Sequence, residues 1–232
     1  MATYVFSDLH GHLNLYEQIK EYIKPEDTLY CLGDCGDRGP QPWETIKAVA
    51  KDPQIIYLKG NHEDMLVKAA KESLAMDEWP SSEYQRLLAI NGGMETLEGL
   101  LQEENREDWI SYLHCLPVST YYTNTQGQKI FLCHAGVSFW ADDPDVLPTA
   151  RELMWDRLHY YDSAKVLAPT IVVHGHTPIK HICMDLTLPL EVGALRYADG
   201  KKYCIDAGTF RTGQTILFNL DSFESIVFKL KD

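Results

Sequence analysis

Short apolar stretches of this chain repeatedly end in polar residues of the kinds that bind metal ions. The first three stretches end in Ser7-Asp8-Leu9-His10-Gly11-His12, in Gly33-Asp34-Cys35-Gly36-Asp37-Arg38-Gly39 and in Gly60-Asn61-His62-Glu63. Two later stretches end in His134-Ala135-Gly136 and in His174-Gly175-His176-Thr177-Pro178. Carboxylate oxygen, amide oxygen and imidazole nitrogen, without thiolate, suit Mn²⁺, Fe or Zn²⁺ better than a structural zinc.

The spacing of these residues favours two ions rather than one. Asp8 and His10 are two positions apart on an extended segment, so both side chains can turn towards one ion. The carboxylate of Asp34 offers two oxygens and is well placed to bridge that ion to a second. Two ions about 3.5–4 Å apart can share a water, lower its pKa and clamp an in-line displacement. We therefore predict a two-metal centre that hydrolyses phosphoesters.

Each of these residues also has an ordinary structural role open to it. Asp8 could form an Asx turn, Asp34 could cap a helix, Asn61 could lie in a turn, and His134 could be a core histidine with satisfied hydrogen bonds. In open α/β sheets, however, the carboxyl ends of the strands form the ligand crevice. Because five strand ends carry such residues, we favour the metal site over five independent structural roles.

The elements that position these residues are short strands alternating with helices. Continuous apolar runs predict strands buried on both faces. They are Tyr4–Phe6, Thr28–Leu32, Ile55–Leu58, Ile130–Cys133, Thr170–Val173, Tyr203–Ile205, Thr215–Asn219 and Ser225–Leu230. Residues 12–23 and Trp43–Ala50 have helical patterns, the second after Pro40 and Pro42. The alternation predicts an α/β layered fold with a mixed sheet, and the short gaps near the C-terminus predict hairpins or a meander.

The segment from about Asp64 to Leu116 differs from the rest of the chain. It is rich in helical patterns and glutamate, and breaks at Trp79-Pro80 and Asn91-Gly92-Gly93. We interpret it as a helical insert over the site and the sheet edge, within a single domain that spans residues 1–232.

The composition is that of a globular protein with a sizeable core. Of 232 residues, 45% are hydrophobic and 24% are charged, and the formal net charge is −13. That charge repels nucleic acid and anionic membranes, so we expect neither as a partner. It also repels a phosphorylated substrate unless bound cations reverse the local field.

The cysteines and the N-terminal residues indicate a cytoplasmic protein. The six cysteines form no CxxC pair, and Cys31, Cys133, Cys183 and Cys204 lie in apolar runs, which predicts buried free thiols. The first residues lack the basic and long apolar regions of a signal peptide, and no stretch is apolar enough for a transmembrane helix.

At these strand ends the sequence resembles the calcineurin-like metallophosphoesterases, and within them the phosphoprotein phosphatase branch in its small bacterial and phage form. That branch has the motifs GDxHG, GDxxDRG and GNHE. Here they are SDLHG, GDCGDRG and GNHE, followed by CHAG and GHTP. INGG at 90–93, ELMWDR at 152–157 and IDAG at 205–208 resemble further elements of the bacterial subgroup. The resemblance spans Tyr4 to about Phe210 and implies a central β-sandwich flanked by helices.

The resemblance also implies the ligands of two divalent ions, manganese first, with iron or zinc as alternatives. One ion takes Asp8, His10 and Asp34, and the second takes Asp34, Asn61, His134 and His176. Ser7 replaces the first glycine of GDxHG, a change between small residues. Pro178 stands where wider relatives have a second histidine, so the first ion has three protein ligands.

The roles in catalysis follow from the same resemblance. Arg38 and Arg157 clamp the phosphate, beside Asn61 and His62, and His62, held by Asp37, protonates the leaving oxygen. A hydroxide held by both ions attacks phosphorus directly. No serine, cysteine or aspartate stands out as the nucleophile of a phosphoenzyme.

For four further residues the sequence does not indicate a clear role. His174 alternates with His176 and should point away from the ions, into packing or behind a ligand. His12 opens a helix and is expected on its surface. Asp206 and Thr209 are expected to be structural or to support the ligands.

Three functions stay open, and we expect a serine/threonine protein phosphatase first. A dinucleoside polyphosphate hydrolase, for example one acting on diadenosine tetraphosphate, is the alternative, and a scaffold with a relict metal site is disfavoured because every ligand and His62 are intact. A dinucleotide demands a base-stacking platform and cations along the phosphate chain. The insert is acidic, and its aromatic residues have a spacing typical of core; they are Trp79, Tyr84, Trp109 and Tyr112. We therefore favour a phosphorylated peptide, or a small phosphoester, as substrate.

Overall fold

The computed structural model describes residues 1–75, 83–137, 148–157, 159–160 and 170–230. Within these ranges the chain forms ten strands in two five-stranded sheets. The first sheet has the order β10-β9-β1-β2-β3 and contains β1 Thr3–Phe6, β2 Thr28–Cys31, β3 Ile55–Tyr57, β9 Gln214–Asn219 and β10 Ser225–Lys229. The second has the order β4-β5-β6-β8-β7 and contains β4 Ser119–Thr123, β5 Lys129–Cys133, β6 Ile171–His174, β7 Leu195–Tyr197 and β8 Lys202–Cys204.

Both sheets are mixed, and their parallel strands carry the motifs. In the first sheet β1, β2 and β3 are parallel, with Phe6 opposite Cys31 and Cys31 opposite Tyr57. In the second, β6 is parallel to both β5 and β8. The carboxyl ends of β1, β2 and β3 therefore end level with one another, and the loops that follow them begin at one edge of the sheet.

The two sheets pack face to face around a shared apolar core. Val5 and Tyr30 of the first sheet belong to the same buried cluster as Leu132 and Val173 of the second. Phe6, the neighbour of Val5, belongs instead to a cluster on the outer, helical face of the first sheet. This alternation is the two-residue period of a strand buried on both sides. The predicted β-sandwich flanked by helices is confirmed.

Helices cover the outer faces. They are α1 Leu13–Tyr22, α2 Pro42–Lys51, α3 Asn61–Ala75, α4 Glu83–Ile90, α5 Met94–Gln102, α6 Arg106–Cys115, α7 Ala150–Trp155, α8 Ile179–Leu186 and the short α9 Thr209–Thr212. Pro42 occupies the first turn of α2, where its missing N–H costs nothing. None of the helices among the described residues has both the length and the apolar character needed to cross a bilayer.

The helix-rich segment predicted from Asp64 to Leu116 contains α3 to α6 in its described part. Gly92, at φ +79°, lies in the predicted break and separates α4 from α5. The other predicted break, Trp79-Pro80, lies outside the described residues. Buried leucines of α4, α5 and α6 join the helical-face cluster of the first sheet, and Trp109 packs edge-on against Trp43 of α2. The segment is thus an extension of the helical layer.

Two features of the strands were not predicted correctly. The edge strands β4 and β7 were missed because their side chains are mixed and partly exposed, so no apolar run marks them. The predicted meander is wrong for β8, which lies in the second sheet, whereas β9 and β10 form a hairpin in the first. An apolar run looks the same in either sheet, so the crossing of the chain between them leaves no pattern.

The cysteines are all free, and all except Cys115 are buried. Cys31 and Cys35 lie with their sulfur atoms 3.3 Å apart. The prediction of buried free thiols is confirmed for the four cysteines in apolar runs.

Candidate metal centre

Six of the residues that the sequence singles out have a left-handed backbone conformation. They are Asp8 (φ 54°), His10 (43°), Asp34 (57°), Asp37 (68°), Arg38 (67°) and His176 (66°). Residues with a Cβ adopt this conformation at a cost, and such residues cluster at functional sites. Only ten non-glycine residues of the described chain have it, so more than half of them lie in three short loops. Three of the six, His10, Asp34 and His176, belong to the groups of side chains with metal-binding geometry.

The loops after β1 and β2 are held together by their backbones. His10 N–H donates to Asp34 O at 3.0 Å, and Gly11 N–H donates to Cys35 O at 2.8 Å. Gly33 lies so close to the backbone of Gly60 that a Cβ would collide with it. The glycines of the motifs are therefore needed for close approach of three loops.

Four predicted ligand atoms of the second ion converge. His134 Nε2 lies 3.0 Å from Asn61 Oδ1, 3.2 Å from His176 Nδ1 and 3.2 Å from Asp34 Oδ2. Asp34, His134 and His176 are buried and form one of two groups of side chains in the described chain with metal-binding geometry. A carboxylate, an amide oxygen and two imidazoles within this space match the donor set of a catalytic divalent ion.

Hydrogen bonds behind the rings of His134 and His10 fix which nitrogen of each neutral imidazole carries the proton. His134 Nδ1 lies 2.9 Å from the carbonyl oxygen of Leu32, and His10 Nδ1 lies 3.1 Å from that of Gly36. A carbonyl oxygen can only accept a hydrogen bond, so in the neutral ring Nδ1 carries the proton. The Nε2 lone pair is then the one that can bind a metal. Such hydrogen bonds behind the ligands fix both tautomer and ring direction.

The second group consists of His10, Asp34 and His62 at the carboxyl ends of β1, β2 and β3. Their ligand atoms all lie within 4.8 Å of one another. Asp34 is common to both groups, the position required of a bridging carboxylate. Asp8 is not in either group. Its Oδ2 accepts the N–H of His176 at 3.1 Å, while its Oδ1 is buried without a hydrogen-bond partner. An unpartnered buried carboxylate oxygen fits a ligand to a cation.

The electrostatics of the buried groups also fit a cation. Burial lowers the pKa of His134, but the charges of Asp34, Asp8 and Glu63 outweigh it and raise that pKa to about 9. Burial raises the pKa of Asp8, and the charge of Asp34 raises it further. A pocket that holds several carboxylates away from water requires positive charge, which two divalent ions would supply.

The predicted acid lies beside this pocket. His62 Nδ1 and Asp37 Oδ2 are 2.5 Å apart, and both side chains are buried. Burial lowers the pKa of His62, but Asp34 and the hydrogen bond to Asp37 give a net rise. His62 Nε2 remains directed at Arg38, whose Nη2 lies 2.9 Å away. In this arrangement Arg38 donates to Nε2, so Nε2 can take up and deliver a proton only when the guanidinium turns away towards substrate.

The two arginines predicted to bind phosphate differ in their surroundings. Arg38 is exposed, and its Nη1 lies 2.9 Å from His10 Nε2. That nitrogen can bind either Arg38 or an ion, so a bound ion requires the guanidinium to turn away towards substrate. Arg157 is exposed just beyond α7, and its charge contributes to lowering the pKa of His176, after burial and His134.

Two residues of the site were not found from the sequence. Glu63 accepts the N–H groups of Asp34, Cys35 and Gly60, each at 2.9 Å, and the hydroxyl of Tyr57 at 2.8 Å. Thr96, from the helical segment, accepts the N–H of Asp37 at 3.1 Å and donates to its carboxylate. The GNHE motif was a signal for Glu63, but no pattern marked Thr96.

The structure shows the surroundings of the four residues to which the sequence gives no clear role. The prediction that His12 lies on the helix surface is wrong, because only 9% of the residue is exposed. His174 lies 3.0 Å from the carbonyl oxygen of Gly175 and 2.7 Å from the hydroxyl of Tyr197. Asp206 accepts the N–H of Gly208, and burial and the charge of Asp8 raise its pKa. Thr209 is buried.

A β-sandwich with two buried donor groups at its strand ends defines a metal-dependent phosphoesterase fold. The profile of the calcineurin-like phosphoesterases matches residues 1–208, and the chain belongs to this family. The family predicted from the motifs is confirmed. The phosphoprotein phosphatase branch within it is not confirmed.

Individual relatives extend the comparison. A protein of Delftia acidovorans named bis(5'-nucleosyl)-tetraphosphatase, symmetrical, is 24% identical over 157 residues, which are 66% of this chain and 50% of the relative. The chain spans about half the length of the curated relatives that it matches. A crystal structure assigned as a diadenosine tetraphosphatase aligns with a TM-score of 0.65 at 15% identity, over 99% of this chain and 94% of the other. A protein serine/threonine phosphatase of Saccharomyces cerevisiae aligns with a TM-score of 0.62 at 14% identity, over 100% and 81%. At these identities the structures support the fold alone.

Proposed function

We propose that the chain hydrolyses dinucleoside polyphosphates such as diadenosine tetraphosphate, cleaving symmetrically to two nucleoside diphosphates. One observation carries this proposal. The curated relatives that cover 59–66% of the chain are named symmetrical bis(5'-nucleosyl)-tetraphosphatases. The site itself suits any phosphoester, so these relatives are what supports the dinucleotide over the phosphopeptide.

The ions would be held by the two donor groups that meet at Asp34. Asp8, His10 and Asp34 would hold one, and Asp34, Asn61, His134 and His176 the other. When bound, two such ions lower the pKa of a water and neutralise charge on the phosphate oxygens. We propose manganese as the catalytic metal ion. We also propose that residues 1–232 form a single domain and that the protein acts in the cytoplasm.

The side chains around the ions would act on the phosphate chain. Arg38 and Arg157 bind its non-bridging oxygens, for which a planar guanidinium is suited. The oxygen of a water forms the new bond to phosphorus as that water loses a proton to solvent, and the bridging P–O bond in the middle of the tetraphosphate breaks. One nucleoside diphosphate leaves, and the proton on His62 Nε2 is available to its oxygen. Asp37 holds His62 so that this nitrogen faces the reacting groups.

A serine/threonine protein phosphatase is the second candidate. The motifs SDLHG, GDCGDRG and GNHE resemble that branch. The buried pair of His62 and Asp37 also suits a monoester, whose leaving alkoxide is strongly basic and needs an acid.

Matched kinetics separate the two candidates. The measurement is kcat/KM for diadenosine tetraphosphate and for a phosphothreonine peptide, with Mn²⁺ present and Asp34→Asn as the blank. We expect the dinucleotide to be preferred by more than about 100-fold, or about 2.7 kcal/mol in transition-state binding. A preference of that size for the peptide would establish the phosphatase instead.

A further inference from the structure

An exposed aromatic ring lies beside the predicted phosphate clamp and has no role in the chemistry described above. Phe210 is 50% exposed, and the Cζ atom of Arg38 lies 6.0 Å from the centre of its ring. Arg38 in turn reaches the Nε2 atoms of His10 and His62, at 2.9 Å each. We propose that Phe210 is a stacking platform for one nucleobase of the substrate. This inference rests on the proposed function.

The ring stands on a rigid support. Phe210 belongs to α9, which is bounded by Gly208 at φ 71° and Gly213 at φ 61°, both left-handed. Thr212 Oγ1 donates to the carbonyl oxygens of Ala207 and Gly208, and Gly208 N–H donates to Asp206 at 2.7 Å. Because this short turn is tied to itself and to the buried Asp206, the ring can be half exposed without being loosely placed.

The surroundings of the ring favour a nucleotide over an aliphatic group. A guanidinium at about 6 Å from a ring is attracted by the aromatic face, and it can bind a phosphate at the same time. A base linked through its ribose to a phosphate on Arg38 would lie at this distance from the clamp. Flat bases of any identity stack on such a ring.

Two of the described aromatic residues of the helical segment, Trp109 and Tyr84, do not offer an equivalent surface. Trp109 is buried against Trp43, with ring centres 5.2 Å apart. Tyr84 is partly buried in the helical core, with Lys68 Nζ 4.9 Å from the centre of its ring. The cation and the stacking face that a dinucleotide demands meet at Arg38 and Phe210 instead.

The test compares substrates with and without bases. Phe210→Leu keeps an apolar side chain but removes the flat face, and Phe210→Trp enlarges it. We expect Phe210→Leu to raise KM for diadenosine tetraphosphate about 5- to 150-fold, the effect of one stacked base. KM for inorganic tetraphosphate should stay within about twofold, and Phe210→Trp should restore the wild-type KM for the dinucleotide. The matched control is Tyr22→Leu, since Tyr22 is a 48% exposed aromatic on α1.

A binding measurement separates this inference from the proposed function. Calorimetry on the manganese-loaded protein gives Kd for adenosine diphosphate and for pyrophosphate. If Phe210→Leu weakens only adenosine diphosphate, the platform stands, even where the wild type fails to hydrolyse the dinucleotide and the proposed function falls. If the variant weakens both ligands equally, or neither, Phe210 is not a base platform. Equal rises in KM for the dinucleotide and for inorganic tetraphosphate would overturn the inference in the same way.

Discussion

Replacing Thr96 by valine tests whether the helical segment supports the acid of the site. Thr96 is fully buried on α5, and its hydroxyl makes both a donated and an accepted hydrogen bond with Asp37, the residue that holds His62. Valine has nearly the same shape as threonine but has no polar atom. The substitution therefore removes two hydrogen bonds and leaves the packing in place.

The size of the effect follows from these two contacts. A hydrogen bond to a charged group contributes about 1.5–3 kcal/mol, and a buried N–H left without a partner costs about 1–3 kcal/mol. The free energy of unfolding should therefore fall by about 2.5–6 kcal/mol, a large part of the 5–15 kcal/mol typical of a folded chain. Because Asp37 is then less firmly held, His62 is less well oriented. We expect kcat for an alkyl phosphate to fall about 10- to 100-fold.

Urea unfolding and steady-state kinetics of Thr96→Val and Thr96→Ser check this reasoning. Serine keeps the hydroxyl and loses one methyl group, so it should cost only about 1 kcal/mol. With an m-value of about 3 kcal/mol per molar urea, the valine variant should unfold about 1–2 M earlier than wild type. If valine is as stable and as active as serine, Thr96 merely fills space and the link from the helical segment to His62 does not exist.

Four further predictions concern the metal centre. Asp34→Asn should abolish bound metal and activity together, and two ions per chain in the purified variant would exclude Asp34 as the bridge. Glu63→Gln leaves an amide N–H₂ facing backbone N–H donors. This loss outweighs the relief of the repulsion between Glu63 and Asp34. The free energy of unfolding of Glu63→Gln should therefore be about 2–4 kcal/mol lower than that of the matched Asp64→Asn. Equal urea midpoints for the two variants would refute this role. His62→Asn should slow alkyl phosphates about 10²–10⁴-fold and nitrophenyl phosphate far less, because only the alkoxide needs a proton, whereas equal losses would mean that His62 only positions groups. Since the metal-free pKa of His134 is about 9, the ring is protonated at pH 7.5 and must lose its proton to bind an ion. Calorimetry in buffers of different ionisation enthalpy should detect about one proton released per chain at pH 7.5 and almost none above pH 10. A release that does not fall with pH would contradict the protonation of His134.

The sequence predicts the site better than it predicts the substrate. Periodicity places the motif strands, and the residue types at their ends name the donor atoms that the structure brings together at Asp34. Left-handed turns at Asp8, His10 and Asp34 could not be predicted, since non-glycine residues avoid them and tertiary contacts impose them. The long-range partner Thr96 is likewise invisible, because a threonine in a helix has no pattern that indicates its contacts.

The preference for a phosphopeptide had a specific origin. The motifs are common to both candidate activities, so the choice rested on the helical segment, where no stacking surface was evident. Burial of Trp109 agrees with that description of the segment. The curated relatives nevertheless favour the dinucleotide, which had been the alternative. A sequence does not reveal which exposed ring lies next to a given arginine, and Phe210 is about 170 positions from Arg38 along the chain.

The donor group that contains His134 and His176 spans the junction of the two sheets, with Asp34 and Asn61 on one side and the two histidines on the other. Ligand distances in a metal site vary by only about 0.2 Å, whereas sheet separation is set by the side chains between the sheets. Val5, Leu132 and Val173 belong to the buried cluster between the sheets, so the size of their side chains contributes to the distance between the ligands of the two sheets. A larger residue at one of these positions would widen the gap and shift the preference towards an ion of greater radius, without changing any ligand. The preference for one divalent metal over another would then depend on residues of the hydrophobic core, and substitutions there would change it.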